Sequence, residues 1–451
     1  MMRISIESIP AISRGIVSRT DGRVVSSLRQ GTWTNSFMAL SRRRDNHTML
    51  AAVPTIPRET SRYAVPMSSS PLRVAMTVEQ LWQPVPGGSG TYIDALASAF
   101  GAVEDIEVHG IAARSARAEP GRFTAAPLET SGLPRPVLYE AWSRLRRPRV
   151  PGPGGQASSG YDVVHATTWA IPPRSAPLVA TVHDTAFLRN PDHFTARGVA
   201  FFERSLRIVR READIVVVPS EATRTDCVSA GIEPDRIRVI PHGTAQHRVS
   251  SDAADAFRAQ HGLARPFVLW CGTLEPRKNL PVLLHAFERL LEDGSDLDLV
   301  IVGPSGWGST SDEVRAAVDR LPVDRIHVLG RLSDIELQRA YASARVFCFP
   351  STWEGFGMPV LEAMVHGTPV VTSRGTSMAE IVGDGALLVD PLDPRATAAA
   401  LVRAAVVEHD ALAEGAVRNS SRYTWDRSAR AHLAAYRDAV ELAATTRGGS
   451  R

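Results

Sequence analysis

Two glutamates, Glu354 and Glu362, stand in FPSTWEGFGMPVLEAMVHG with seven residues between them, Gly355 and Gly357 among these. The pattern predicts a glycine loop leading from a strand into a helix that starts near Met358, with Pro359 in its first turn and Gly367 as its C-cap. Such a loop turns backbone N–H groups toward a helix N-terminus, which suits a phosphate. Glu362, one turn into the helix, can reach a ribose diol. A carboxylate beside a phosphate repels it, so Glu354 is better matched to neutral sugar hydroxyls, which donate hydrogen bonds to it.

A second site lies in LWCGTLEPRKNL, where Arg277 and Lys278 precede a helix beginning near Asn279. Of 51 basic residues of the Lys and Arg types, Lys278 is the single lysine. Two cations at the mouth of a helix N-terminus suit a diphosphate, the bland alternative being a surface lysine left by chance. In ATVHDTAFLRNP, His183 and Asp184 close a strand, where an imidazole could polarise a hydroxyl or orient a sugar. A satisfied core histidine remains the alternative. In PVPGGSGTY, Gly87, Gly88 and Gly90 form a small loop after the first strand, and Thr91 opens a helix. The loop could hold an anion or admit an acceptor, but it lacks the dinucleotide spacing G-x-G-x-x-G, and a plain tight turn fits as well. Asp296 and Asp298 spell the D-x-D of metal-using enzymes. They follow Gly294 and Ser295, which predicts a solvated turn, so neither a metal nor another cofactor is expected.

These residues need strands to carry them. Short apolar runs at 72–78, 106–111, 161–166, 177–182, 214–218 and 236–240 alternate with helical stretches, and a second series follows at 267–272, 297–303, 325–330, 345–350, 368–373 and 385–390. The rhythm predicts α/β architecture: two doubly wound, Rossmann-like parallel sheets in tandem, which bind ligands beyond the carboxyl ends of their strands. In the helix after Lys278, Leu280, Leu283, Leu284, Phe287, Leu290 and Leu291 make one apolar face. Residues 144–160 are rich in Arg, Pro and Gly and read as a basic, flexible loop.

Residues 1–66 lack a sustained apolar period and are expected to be a disordered extension, with ordered chain from Met67. With 451 residues, 44% hydrophobic and 22% charged, the chain has room for more than one core. Its net charge of +3 gives no reason to expect nucleic acid as a partner, and allows at most peripheral membrane contact. No secretory signal or apolar span of membrane length is present, so a cytoplasmic location is expected. Cys227, Cys271 and Cys348 lie too far apart in sequence for a C-x-x-C motif and read as small buried hydrophobes.

The E-x7-E element in EGFGMPVLEAM, with GTLEPRKN, VHD and VVVPSEATRTD, resembles retaining glycosyltransferases of family 4, over about residues 72–443. The resemblance implies the GT-B fold, two Rossmann-like domains facing a central cleft. It implies an N-terminal acceptor-side domain at 67–245, a nucleotide-sugar domain at 246–426, and a final helix at 427–445 packing back on the first. By this likeness Glu354 would bind the donor sugar and Glu362 the ribose, and Arg277 and Lys278 would hold the diphosphate beside the Gly355–Phe356–Gly357 segment. His183 would lie near the transferred sugar, making His183, Glu354 and Lys278 the catalytic set, and the Gly87–Gly88 loop would face diphosphate or acceptor. Many relatives carry arginine directly after the strand glycine where this chain has Thr273, which shifts the diphosphate contact onto Arg277 and Lys278.

The activity implied is metal-independent transfer of a hexose, with mannose favoured, from a nucleotide-diphosphate sugar to a glycan, lipid-linked or small-molecule acceptor, with retention. GDP-mannose is the favoured donor and UDP-sugars stay open. The alternatives are a nucleotide-sugar epimerase, a nicotinamide-dependent dehydrogenase, against which the absence of G-x-G-x-x-G speaks, and a non-catalytic sugar-binding module. Lys278→Arg keeps the charge but replaces a compact ammonium with a planar fork, so turnover is expected to fall at least about tenfold, with the melting temperature of the ligand-free protein unchanged.

Overall fold

The computed structural model describes residues 70–155, 160–304 and 310–448. The extension at 1–66 and the end of the 144–160 loop lie outside them. The first sheet contains seven parallel strands: β1 (Leu72–Thr77), β2 (Ile106–Ala112), β3 (Leu128–Thr130), β4 (Val163–Ala166), β5 (Leu178–Thr181), β6 (Ile215–Val218) and β7 (Ile237–Val239), in the order β3-β2-β1-β4-β5-β6-β7. The second has six: β8 (Phe267–Cys271), β9 (Asp298–Val302), β10 (Ile326–Gly330), β11 (Val346–Phe349), β12 (Val370–Ser373) and β13 (Ala386–Val389), in the order β10-β9-β8-β11-β12-β13. Both reverse order beside their first strand, and that switch point opens a crevice at the strands' carboxyl ends. Central strands such as IVVV at β6 are buried along their whole length, which explains their unbroken apolar runs. The sequence pattern missed β3, a half-buried edge strand of three residues, LET, too short to show a period.

Six helices matter to the site: α1 (Gly87–Phe100), α2 (Ala196–Glu212), α3 (Glu221–Ser229), α4 (Leu280–Glu292), α5 (Met358–Val365) and α6 (Trp425–Gly448). The apolar face of α4 is buried at Leu280, Leu283, Leu284, Phe287 and Leu290, while Leu291 is half-buried against the same core. The loop at 144–155 is not the flexible segment its composition suggests. Arg146 binds the carbonyls of Trp142, Ile171 and Pro172 and pairs with Glu212 at 2.6 Å, and Val150 is buried.

Helix α6 packs on the first sheet through Ala429, Leu433, Tyr436 and Ala439. It crosses beside the outgoing linker, where Thr244 N–H donates to the Tyr423 carbonyl at 3.0 Å and a methyl added at Gly243 would fall 2.3 Å from the Trp425 nitrogen. Beneath α6 runs a buried polar chain whose direction is fixed at one end. The Ser428 carbonyl can only accept, so His432 Nδ1 carries the proton (2.7 Å) and Nε2 accepts from the Tyr92 hydroxyl (2.8 Å). Tyr92 then accepts from Thr181 (3.0 Å), Thr181 from His165 Nε2 (2.8 Å), and His165 Nδ1 from Tyr436 (2.8 Å). Every proton in this order is used once, and both imidazoles are neutral.

Burial holds His165 and His432 below the ordinary imidazole value, His432 at about 4. Unfolded histidines titrate near 6.5, so the unfolded chain takes up the extra protons as pH falls from about 6.5 to 4. The stability these groups contribute is complete above that window. Within it, each loses up to about 1.4 kcal/mol per pH unit. Urea unfolding of His432→Gln at pH 7.5 and 5.0 should show a smaller acid loss than wild type, and an unchanged difference would rule out this origin.

Candidate active site

The cleft is built by segments that follow the strands. After β8, a turn carries Glu275, Pro276 and Arg277 to Lys278, and Asn279, at φ +53°, starts α4. After β11, Ser351 to Gly357 lead into α5, whose first residue is Met358 as the pattern predicts, with Gly357 at φ +104°. The two segments meet at Glu354. Its Oε1 accepts from Lys278 Nζ at 2.6 Å, from Arg277 at 2.8 Å and from the Ser351 hydroxyl at 2.8 Å. Among the described residues all three bonds fall on Oε1, leaving Oε2 to accept from a ligand. Burial raises the Glu354 carboxyl, but the charges of Arg277 and Lys278 and the bonds from Lys278 and Ser351 outweigh it and hold it at about 2. Burial lowers Lys278 from its ordinary value despite Glu354. For Arg277 the carboxylates of Glu354 and Glu275 outweigh burial and raise it. Lys278 Nζ also sits 4.8 Å from the Phe349 ring centroid.

Glu362 faces the end of β8. Tyr341 donates to its Oε2 at 3.0 Å, and burial raises its carboxyl. The glycines after β1 are not a loop ahead of the helix: a short turn, Glu79–Trp82, intervenes, and α1 already opens at Gly87, φ +61°, four residues before Thr91. A methyl added at Gly88 would lie 2.8 Å from Met358 Cε, so the first turns of α1 and α5 are neighbours across the cleft. Each dipole favours an anion at that end.

Phe356 does not present its ring to the cleft. It is buried with its centroid 5.0 Å from His242 and 6.1 Å from Tyr423. His183 lines the cleft, yet its ring nitrogens face protein groups. Nε2 donates to the Thr167 carbonyl at 2.9 Å, so Nδ1 is left to accept from His242 Nε2 at 3.4 Å. Burial lowers both histidines. The imidazole is thus a neutral, fixed wall, and sugar contacts would fall to its C–H edge and to the main chain.

The D-x-D segment is a solvated turn at Asp296, which is exposed, but not at Asp298. Asp298 starts β9, is 2% exposed, and pairs with Arg325 at 2.9 Å and His327 at 3.2 Å. It sits at the amino end of the strand, roughly 15 Å from the carboxyl-end crevice by strand rise.

Sequence reasoning passed over the contacts that join the two domains here. Ser220 and Thr223, in the N-cap turn of α3, donate to the Gly355 carbonyl at 2.7 and 3.1 Å. The free N–H groups of Glu221 and Ala222 bind the Glu380 carboxylate at 2.8 and 2.7 Å. Arg189 stacks on Trp353 at 3.6 Å. The signal was present in PSEAT, a strand end followed by a Ser N-cap, but the partner across the cleft was not readable.

The arrangement brings two helix N-termini, each of which favours an anion, close to a caged carboxylate and to a cavity of about 460 Å³ lined by His183, Asp184, Glu275 and Arg277. Two doubly wound domains about such a cleft have the GT-B arrangement that the sequence resemblance implies. Residues 265–405 match the family described as glycosyl transferases group 1, and residues 86–248 match glycosyltransferase family 4. The chain is 32% identical to a D-inositol 3-phosphate glycosyltransferase of Acidothermus cellulolyticus, over 89% of this chain and 95% of that one. It is 30% identical to O-antigen chain mannosyltransferase B of Escherichia coli, over 67% and 81%. Among solved structures it resembles Anabaena Alr3699/HepE in complex with UDP and glucose (TM-score 0.62, 19% identity, 80% and 97% covered) and sucrose-phosphate synthase of Thermosynechococcus elongatus (0.65, 22%, 81% and 98%). The chain belongs to glycosyltransferase family 4 and is a hexosyltransferase.

Because Lys278 is buried against Glu354, its removal should also lower the stability of the ligand-free protein. Lys278→Ala leaves the carboxylate with Arg277 and Ser351 and should cost about 1–3 kcal/mol in the ligand-free protein. Lys278→Arg should lower kcat at least about tenfold, since a fork cannot occupy the same tight corner. Wild-type melting in the alanine variant would show that Nζ does not rest on Glu354; wild-type turnover in the arginine variant would remove Lys278 from the reaction.

Proposed function

We propose that the protein transfers a hexose, mannose in the favoured reading, from a nucleotide-diphosphate sugar to an acceptor hydroxyl with retention and without a metal ion. The observation that carries it is the cluster at Glu354, two cations and a carboxylate set against neighbouring helix N-termini. The diphosphate would lie between α1 and α5, within reach of Arg277 and Lys278. Glu354 Oε2 would accept from sugar hydroxyls and Glu362 Oε1 from the ribose. As the C1–phosphate bond breaks, the acceptor oxygen bonds to C1 on the same face, and its proton passes to the leaving phosphate oxygen. Fixed cations and N–H groups stabilise the charge that develops there. The mannosyltransferase relative supports mannose and hence GDP-mannose, whereas the neighbour crystallised with UDP and glucose supports a UDP-sugar as the second reading. A cytoplasmic site for this reaction is in keeping with the described helices, none of which is long and apolar enough to cross a membrane.

Glu354→Ala should cut kcat roughly a hundredfold while leaving affinity for the bare nucleoside diphosphate equal or tighter, because Arg277 and Lys278 lose a competing anion. Glu362→Ala should weaken nucleotide binding instead. Titration calorimetry with the reverse pattern would exchange their roles.

Transfer should persist in EDTA, because the aspartates of the D-x-D segment are engaged in ion pairs at the far end of β9. Activity lost to chelator and restored by Mg²⁺ or Mn²⁺ would overturn the metal-free reading.

A further inference from the structure

The cavity beside Arg277 and His183 has a second half that the donor reading leaves unused. Its wall on the first domain is aromatic: Tyr139, Trp169, Phe187, Phe194, Phe201 and Phe202, brought in by the turn after β4, the helix Ala186–Arg189 and α2. These rings brace one another, with Trp169 against Phe187 at 5.4 Å, Phe187 against Phe202 at 5.2 Å and Phe194 against Phe202 at 5.9 Å. Hydrogen-bonding groups are spaced around them, including Gln83, Ser89, Thr168 and His193.

The charges lining the cavity are carboxylates at Asp184 and Glu275 and one guanidinium, Arg277. That guanidinium is already engaged, with Nε on Glu275 at 2.9 Å and a terminal nitrogen on Glu354 at 2.8 Å. With Arg277 shared among Glu275, Glu354 and, in the proposed reaction, the donor diphosphate, a phosphomonoester in this cavity would meet the Asp184 carboxylate and no uncommitted guanidinium among the described lining residues, at a cost in desolvation and repulsion. A lipid chain would take water from Asp184, Gln83 and Thr168 and offer no hydrogen bond in return. A pyranose matches both features, since its C–H face lies on aromatic rings and its hydroxyls donate to carboxylates and amides.

We propose that this half of the cavity is the acceptor subsite and that it selects an uncharged sugar, a neutral glycoside seated on Trp169 and Phe202, over a phosphorylated polyol. The proposal rests on the hexosyl-transfer reading above. It sets the acceptor apart from that named for the inositol-phosphate relative, although identity to that protein is 32%.

The test uses the full chain with GDP-mannose and, separately, UDP-glucose, and two matched acceptor pairs: methyl α-mannopyranoside against mannose 6-phosphate, and myo-inositol against its 3-phosphate. The neutral member of at least one pair should be preferred at least about tenfold in kcat/KM. Trp169→Ala should raise the KM for that neutral acceptor at least about tenfold, with nucleotide affinity by calorimetry unchanged. Should that variant fail to fold, Phe202→Leu should show the same selective rise. Equal or better use of the phosphorylated members, transfer to none of the neutral sugars by an enzyme that binds nucleotide, or a KM untouched by either variant overturns the proposal. An enzyme that binds neither donor nor nucleoside diphosphate and releases no diphosphate from the donor instead sinks the transfer reading beneath it.

Discussion

A carboxylate taken out of water must be compensated, and the answer at Glu354 organises the cleft. Lys278, Arg277 and Ser351 converge on one of its oxygens, and Glu275 takes the other side of Arg277. Two cations against two anions leave the ligand-free cluster with no net formal charge. Removing Lys278 still leaves Arg277 and Ser351 on the buried carboxylate, at a cost of about 1–3 kcal/mol, so the segments after β8 and β11 are held in register by several bonds at once. In the proposed reaction a diphosphate would not find bare cations but would compete for cations already positioned, so little reorganisation would be needed at the moment of transfer.

The same loop also fixes how the two sheets meet. A methyl at Gly355 would fall 1.8 Å from the His183 carbonyl, so only glycine lets the second domain approach that strand end. The Gly355 carbonyl then completes the α3 N-cap turn through Ser220 and Thr223, and Glu380 takes the N–H groups just behind. The helix N-terminus that in many folds would face solvent is here satisfied by the opposite domain. Since Glu354 precedes Gly355, the segment that holds the carboxylate cluster is the same one that carries the contacts between the two domains.

Much of this was legible in the sequence where chemistry and local geometry coincide. The start of α5 at Met358 followed from Gly357 and Pro359, and twelve of the thirteen strands from their apolar runs, β3 being too short. The conspicuous Lys278 was placed in the cleft by its neighbours. What could not be read was pairing at long range. Glu354 and Lys278 lie 76 residues apart, and nothing local says that the lysine's first partner is that glutamate. Asp298 looked solvated because its partners, Arg325 and His327, arrive from the next strand. The composition of 144–155 suggested flexibility because one arginine, Arg146, with φ +52°, does the anchoring.

The singularity of the lysine then has a physical reading. At the remaining 50 basic positions the chain uses arginine, and where described its planar fork often reaches carbonyls and carboxylates in several directions, as at Arg146 and Arg325. At 278 the head group lies between the Phe349 ring, 4.8 Å away, and one carboxylate oxygen, 2.6 Å away, with the Arg277 guanidinium sharing that oxygen. A second planar guanidinium there would have to share the same acceptor edge as the first, and its remaining N–H groups would be buried without partners. A compact ammonium avoids both costs. It also keeps rotational freedom about its stem, and in the proposed transfer that freedom would let it turn from Glu354 toward a phosphate oxygen while Arg277 stays anchored on Glu275.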